Sequence, residues 1–253
     1  MNNTPLITII TVCYNSATTI ENTMRSVLNQ DYANIEYIVI DGASTDDTLA
    51  IINANKTTNT RVISEPDNGM YDALNKGIAL AQGEIIGMLH ADDFYSYTDV
   101  LSNVVKSMQR NNAQLLYANL LYVNATDTNK IIRNWTSGTY TVNAFMWGWM
   151  PPHPTFFVRK YIYAQYGNFR LDMQSAADYE LMLRLIHVHK LSINYLPQTI
   201  IKMRVGGVSN ATLGNRIIAN KADRKAWVVN KVSPYWFTLY IKPLRKIMQY
   251  VLK

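Results

Sequence analysis

The sequence predicts an α/β fold, a mostly parallel central sheet with helices on both faces. Three observations carry this expectation. Short runs of β-branched and apolar residues alternate with segments whose apolar residues recur at helical spacing, as far as about residue 120. The runs are nearly continuous rather than alternating with polar residues, as strands covered on both faces require. Polar clusters follow several of the runs directly, and open α/β sheets gather ligands beyond the carboxyl ends of their strands.

Leu6 to Val12 is the first such run, and it stops at Cys13-Tyr14-Asn15-Ser16; Ile20, Met24, Val27 and Leu28 then recur as one face of a helix. Ile35 to Ile40 is a second strand, turned at Asp41-Gly42-Ala43. Ser44 with Asp47 three residues on predicts a capped helix through Ile52. Val62 to Glu65 is a shorter strand. Asp67-Asn68-Gly69 then leads into a helix with Tyr71, Leu74, Ile78 and Ala81 on its apolar face. Glu84 to Leu89 is the fourth strand, ending at His90-Ala91-Asp92-Asp93, with a helix over Val100 to Met108 and a strand at Leu115 to Tyr117. Beyond that the alternation fades into extended segments and a Pro- and aromatic-rich stretch from Phe145 to Pro154, until a helix resumes near Asp178.

A chain of 253 residues, 48% hydrophobic, can bury one substantial core with an extension, but hardly two separate domains. Met1 to Pro5 has no basic region, and the apolar stretch after it is broken by Thr8, Thr11 and Asn15. Neither a signal peptide nor a spanning helix is expected, which places the protein in the cytoplasm. Cys13 stands alone, without a disulfide partner. The net charge of +6 is unevenly placed: Ala211 to Lys253 carries nine basic residues and one acid, a tail of +8 on a body of −2. That division argues against nucleic-acid binding by the body and for an anionic surface facing the tail.

Two adjacent carboxylates at a buried strand end repel one another unless a cation or hydrogen-bond donors neutralise them. Asp92 and Asp93 therefore either hold a divalent ion such as Mg²⁺ or Mn²⁺, whose shell phosphates and water complete, or act as first-turn acids of a following helix.

The ordered series Thr11-Val12-Cys13-Tyr14-Asn15, Asp41-Gly42-Ala43-Ser44-Thr45-Asp46-Asp47-Thr48, Glu65 to Gly77 and His90-Ala91-Asp92-Asp93 resembles family 2 glycosyltransferases. The segments Ala176 to Leu181 and Arg204 to Ser209 continue the match in order, so the resemblance spans roughly residues 5 to 210. It is strongest to bacterial enzymes that build O-antigen or capsule repeat units on a lipid carrier. The resemblance implies a GT-A fold, a nucleotide-sugar donor, inversion at the anomeric carbon and a divalent metal, Mn²⁺ or Mg²⁺. It divides the chain into a GT-A domain over 1–210, with a nucleotide-sugar half (1–120) and an acceptor half (121–210), followed by the tail over 211–253.

Position by position, the likeness places Tyr14 and Asp41 at the base and ribose, with the Asp41 carboxylate accepting the imide proton of uracil, which favours a UDP sugar. Gly69, Asp72 and Lys76 would wall the ribose and phosphates, Asp92 would reach the ribose or metal, and Asp93 the metal itself. Asp178 would be the base that takes the acceptor proton, and Arg204, on a Gly-flanked loop, would help the diphosphate leave. Trp147, Trp149 and His153 are candidates for an acceptor groove. Two departures stand out: Ala43 replaces a usual glycine, which is harmless if φ is negative there, and His90 stands where another acid often begins the acidic motif.

Leu244, Ile247, Met248 and Val251 fall at i, i+3, i+4 and i+7 among Lys242, Arg245, Lys246 and Lys253, with Tyr235-Trp236-Phe237 upstream. This is a basic amphipathic helix, suited to an anionic membrane or to packing on the body. The expected partners are thus a nucleotide-sugar donor, a lipid-linked saccharide acceptor and the inner face of the cytoplasmic membrane. The alternatives are a sugar-nucleotide nucleotidyltransferase, which wants a Gly-rich phosphate loop that Tyr14-Asn15-Ser16 does not offer, and a non-catalytic membrane-binding scaffold.

Overall fold

The computed structural model describes residues 4–206 and 213–251, with side chains characterised over 4–206 and 220–245. In chain order the first half contains β1 (Ile7–Cys13), α1 (Ile20–Leu28), β2 (Ile35–Asp41), α2 (Thr48–Asn55), β3 (Thr60–Ser64), α3 (Met70–Leu80), β4 (Ile85–Met88), β5 (Asp93–Tyr95) and α4 (Val100–Arg110). The second half contains β6 (Leu115–Val123), β7 (Ile131–Trp135), β8 (Phe157–Arg159), α5 (Lys160–Tyr166), α6 (Ala177–Met182), β9 (Ile193–Arg204), α7 (Leu213–Val229) and α8 (Thr238–Val251). The nine strands form one sheet in the order β3-β2-β1-β4-β8-β6-β9-β5, with β7 pairing β6 off this path.

The first half is the parallel α/β unit expected: β3, β2, β1 and β4 all run one way. The second half is mixed. β8 is antiparallel to β4 and β6, β9 is parallel to β6, and β5 folds back antiparallel on β9. Because β9 runs in the same sense as β6, Val123 pairs with Arg204 at the edge of the sheet where β4 also ends.

The two faces bury separate clusters. Ile10, Val12, Ile38 and Ile40 point to one face, against α3, α6 and α7; Ile7, Ile9, Tyr37 and Val39 point to the other, against α1 and α4. Alternate residues of one strand thus feed opposite cores, which is why these strands lack polar alternation.

The basic tail is not a separate body. Ala226 and Trp227 of α7 are fully buried in the same cluster as α6, and the Trp227 indole N–H donates to the Tyr179 hydroxyl at 2.9 Å. α8 is docked by Thr238, which donates to the Met146 carbonyl, and by buried Leu239. The site also depends on Gly148, which has φ +70, and a Cβ there would lie 2.7 Å from the Lys242 backbone nitrogen. Only glycine lets α8 approach this closely. The expected seam of Ile247, Met248 and Val251 lies outside the residues whose side chains are described.

Candidate active site

Parallel packing of β1, β2 and β4 brings their carboxyl ends to one edge, and the loops that follow are stitched together. The Asn15 amide donates to Ser44 Oγ, the Ser16 amide to Thr48 Oγ1, the Ala17 amide to Asp46 Oδ2, and the Thr45 amide to Asn15 Oδ1. Asp46, just before the N-cap Asp47, accepts from the amide and hydroxyl of Thr48, the first residue of α2. Ser44 is occupied elsewhere: its amide and hydroxyl both donate to Asp41.

Asp41 is fully buried, and its carboxylate accepts from Ser44 and from Ser64 Oγ at 2.6 Å, so it ties the loop after β2 to the end of β3. For it to accept a proton from a base, Ser44 must first swing away. Tyr14, by contrast, is 63% exposed, with its ring available at the end of β1. Ala43 between them has φ +59, not the negative angle that would make the absence of glycine harmless. An L-residue there carries backbone strain, so Ala43→Gly is expected to raise unfolding stability by up to about 1 kcal/mol in a urea titration.

The segment entering α3 is held by its own side chains. The Lys76 ammonium donates to the Pro66 carbonyl and pairs with Glu65 at 2.9 Å, and Glu65 holds its pKa above the usual lysine value. Asp72 accepts from the Asn68 amide, and the Gly69 amide donates to Asp67 Oδ1 at φ +104. Lys76 and Asp72 thus fasten the loop that leads into α3. Asp67 Oδ2 lies close over Gly42.

At the acidic turn burial separates the two aspartates. Asp92 is partly exposed, whereas Asp93 is fully buried at the start of β5, paired across to Met203, and neither of its carboxylate oxygens has a hydrogen-bond partner. Burial and then the Asp92 charge push its pKa well up, against the field of Arg204. Asp92 is thus the carboxylate open to solvent at this turn, whereas Asp93, the expected metal ligand, is closed to it. Arg204 is not on a loop but ends β9, donating to the Asp92 carbonyl at 2.7 Å and to Asn22 Oδ1 at 2.9 Å, above the Phe94 ring. It shapes this turn directly.

The residues fit a divalent ion. The part-exposed Asp92 carboxylate is open to an ion, and the unpartnered carboxyl of Asp93 behind it is a group whose ionised form a cation would favour. Among the described residues no group of three or more His, Cys, Asp or Glu side chains could hold a metal alone, so the shell would need the donor's own oxygens.

Asp178 sits in the first turn of α6, partly exposed, with the Tyr179 amide donating to Oδ1 at 2.7 Å. Burial raises its pKa; Lys242, that amide, a hydrogen bond with the Tyr71 side chain and His90 pull it back. Tyr71, which the helical pattern alone assigns to the core, thus touches the candidate base. Its ring lies 5.3 Å from Phe169, and Asn75 one turn on exchanges two hydrogen bonds with the Phe169 backbone. α3 therefore fastens the two halves together at the site. Periodicity shows only that Tyr71 faces inward, and no signal along the chain marks its partner.

His90 links the acids. Its ring is 5.9 Å from His153, and its pKa is lowered by burial and by His153 while both Asp92 and Asp178 oppose the shift. His153 is buried, edge-on to Phe169, with its pKa pushed down by burial to about 4. Trp149 is a packing residue rather than a groove wall: it is buried, its N–H donates to the Ser137 carbonyl, and it meets Tyr117, Tyr140 and Phe145. Trp147 is exposed and packs on Tyr235 and Phe237 of the tail. A groove of about 540 Å³ between α3, β8 and α5 opens at the opposite end of the sheet and contains none of these residues.

A mixed sheet flanked by helices, with acids and an open tyrosine at its strand ends, agrees with the glycosyltransferase architecture that the motifs imply. The chain belongs to glycosyl transferase family 2, whose family model matches residues 8–167. An uncharacterized glycosyltransferase of Mycobacterium tuberculosis is 32% identical over 192 residues, 73% of this chain and 70% of that one. WfaP of Escherichia coli, a UDP-Glc:α-D-GlcNAc-diphosphoundecaprenol β-1,3-glucosyltransferase, is 38% identical over 117 residues, 45% of each chain. Among solved structures, S. aureus TarS 1-349 in complex with UDP-GlcNAc superposes with a TM-score of 0.71 at 17% identity, over 93% of this chain and 69% of that one. The mannosyltransferase PcManGT of Pyrobaculum calidifontis, in complex with GDP-Man and Mn²⁺, gives 0.67 at 20% identity, over 94% and 69%.

Proposed function

We propose that this glycosyltransferase is inverting, takes its sugar from a UDP-linked donor, and transfers it to a hydroxyl of a saccharide carried on a polyprenyl diphosphate in surface polysaccharide synthesis. The observation that carries the reading is the convergence of Asp178, from the acceptor half, with the His90-Asp92 turn of the donor half: His90 feels the charge of both. Ring contacts from His90 through His153 and Phe169 to Tyr71 join the acidic turn to the surroundings of this raised-pKa carboxylate. The WfaP and TarS relatives make a UDP sugar and a diphospholipid acceptor the first substrates to test.

In this mechanism Tyr14 stacks on the base; Asp92 would hold a Mn²⁺ or Mg²⁺ ion, which would supply positive charge to the diphosphate. Arg204 fixes the Asp92 backbone and adds charge from the side. The acceptor oxygen forms a bond to the anomeric carbon from the face opposite the diphosphate. Its proton passes to Asp178, the bond from that carbon to UDP breaks, and UDP leaves with the electron pair. Burial of Asp178 makes it a better base than an exposed carboxylate.

The test is a screen of UDP-glucose, UDP-galactose and their N-acetylated forms against a lipid-linked monosaccharide, with and without Mn²⁺. Transfer with one UDP sugar, dependent on the ion, supports the reading. Transfer only from GDP sugars, or with retained configuration, overturns it. A requirement for a sugar 1-phosphate would point to the nucleotidyltransferase alternative.

The same reading places the enzyme peripherally on the inner face of the cytoplasmic membrane. Among the described residues no helix is long and apolar enough to cross a membrane. Support comes from a large exposed surface: Trp236 (83% exposed), Tyr240 and Leu244 are spaced four apart along the outer side of α8 and its leading turn. Trp147 lies beside them, and Arg245 donates to its carbonyl at 3.4 Å. Aromatic and basic groups together suit an anionic lipid interface. Replacing Trp236 and Tyr240 by alanine is expected to weaken sedimentation with anionic vesicles at least about tenfold, and unchanged sedimentation would reject this surface.

A further inference from the structure

The tail helix α8 faces two ways. Tyr240 and Leu244 point outward, while Lys242 between them is turned into the protein and largely buried. A buried ammonium is costly unless paired, and Lys242 is paired twice: with Asp223 of α7 at 2.6 Å and with the face of Tyr179, whose ring centroid is 3.6 Å from Nζ. Tyr179 is the residue after Asp178, and its hydroxyl is held by Trp227 of α7. The close approach at Gly148 fixes the backbone of Lys242 itself.

We propose that Lys242 is a positioning residue of the transfer reaction: the tail helix delivers its ammonium behind the first turn of α6, where it anchors Tyr179 and places a fixed cation behind the Asp178 carboxylate. This rests on the reading of Asp178 as the base. The charge of Lys242, moreover, opposes the upward shift that burial gives the Asp178 carboxyl. Tyr71 of α3, His90 of the acidic turn and the Tyr179 amide also favour the ionised Asp178 carboxylate. The tail thus forms part of the catalytic apparatus as well as a surface for binding.

A purely structural ion pair makes a different prediction from a positioning cation, so the acid limb of the pH profile decides between them. In full-length protein, removal of the cation in Lys242→Met disfavours the ionised base. The acid limb of kcat should move up by about 1 pH unit, so turnover below the limb falls about tenfold while KM for the donor stays near wild type. Lys242→Arg, which keeps the charge, should bring the limb most of the way back. Asp223→Asn removes the anion that offsets Lys242 and should move the limb the other way, which keeps the proposal testable if Lys242→Met does not fold. An acid limb that stays at the wild-type pH in folded Lys242→Met, or in Asp223→Asn, overturns it. Asp178→Asn separates the two readings: if that variant turns over normally the base assignment fails, whereas a dead Asp178→Asn with an unmoved limb in Lys242→Met removes only the role of Lys242.

Discussion

Asp178→Asn is expected to lower turnover by about 10² to 10⁴ while leaving donor binding nearly intact. The amide preserves the shape of the first turn of α6 but cannot take the acceptor proton. Asp178 lies on the acceptor half and its contacts, Tyr71 and the Tyr179 amide, belong to the protein, so the donor loses no direct partner. The pH dependence has a definite sign. Burial raises the Asp178 pKa, so in the wild type the rate should fall as pH drops through a value above the ordinary carboxylate range. The acid limb should vanish in Asp178→Asn. Steady-state kinetics over pH, with donor affinity measured by calorimetry, checks both parts, and wild-type turnover would reject the assignment.

Asp92→Asn is expected to cost several kcal/mol of transition-state stabilisation, about 10²-fold or more in turnover, and to abolish any rise in unfolding temperature caused by Mn²⁺. The reason is its partial exposure at the turn shaped by Arg204. Asp93→Asn gives the contrast. Its wild-type carboxyl is buried without a partner and its pKa is raised, so in the folded state ionisation is penalised above the unfolded pKa, increasingly as pH rises toward the folded one. Replacing it should raise the stability of the metal-free protein at neutral pH while weakening, rather than abolishing, the Mn²⁺ effect. If Asp93→Asn is the variant that abolishes the ion's effect and Asp92→Asn responds normally, the assignment of the two acids is reversed.

Much of the donor half was legible along the chain because its signals are local. β1, β2 and β4 are apolar runs that end at a turn, and Tyr14, Asp41 and Asp92 lie at or within a few residues of their ends. The amphipathic faces of α1 and α4 were equally plain, with Met24, Val27, Val104 and Val105 all buried. The second half was less legible. β6 is nine residues long where three were expected, and β8 has only three, because both take their stability from neighbours distant in sequence. Arg204 belonged to a loop by its flanking glycines and to a strand by its pairing with Val123.

By itself, then, the sequence determined that this is an α/β protein with acids at its strand ends, and through the order of its motifs that these resemble a glycosyltransferase. Residue type and spacing are enough for that, since strand, turn and cap preferences act over a few positions. Which carboxylate faces a ligand was decided only in three dimensions. Asp93 is sealed by pairing with β9, Asp41 is engaged by Ser44 and Ser64, and Lys76 is drawn to Glu65. The +8 tail likewise suited either a membrane or the body by its sequence, and only packing buried Trp227 and turned Lys242 toward Tyr179. Burial and charge pairing depend on groups brought together from far along the chain, and no local pattern encodes that.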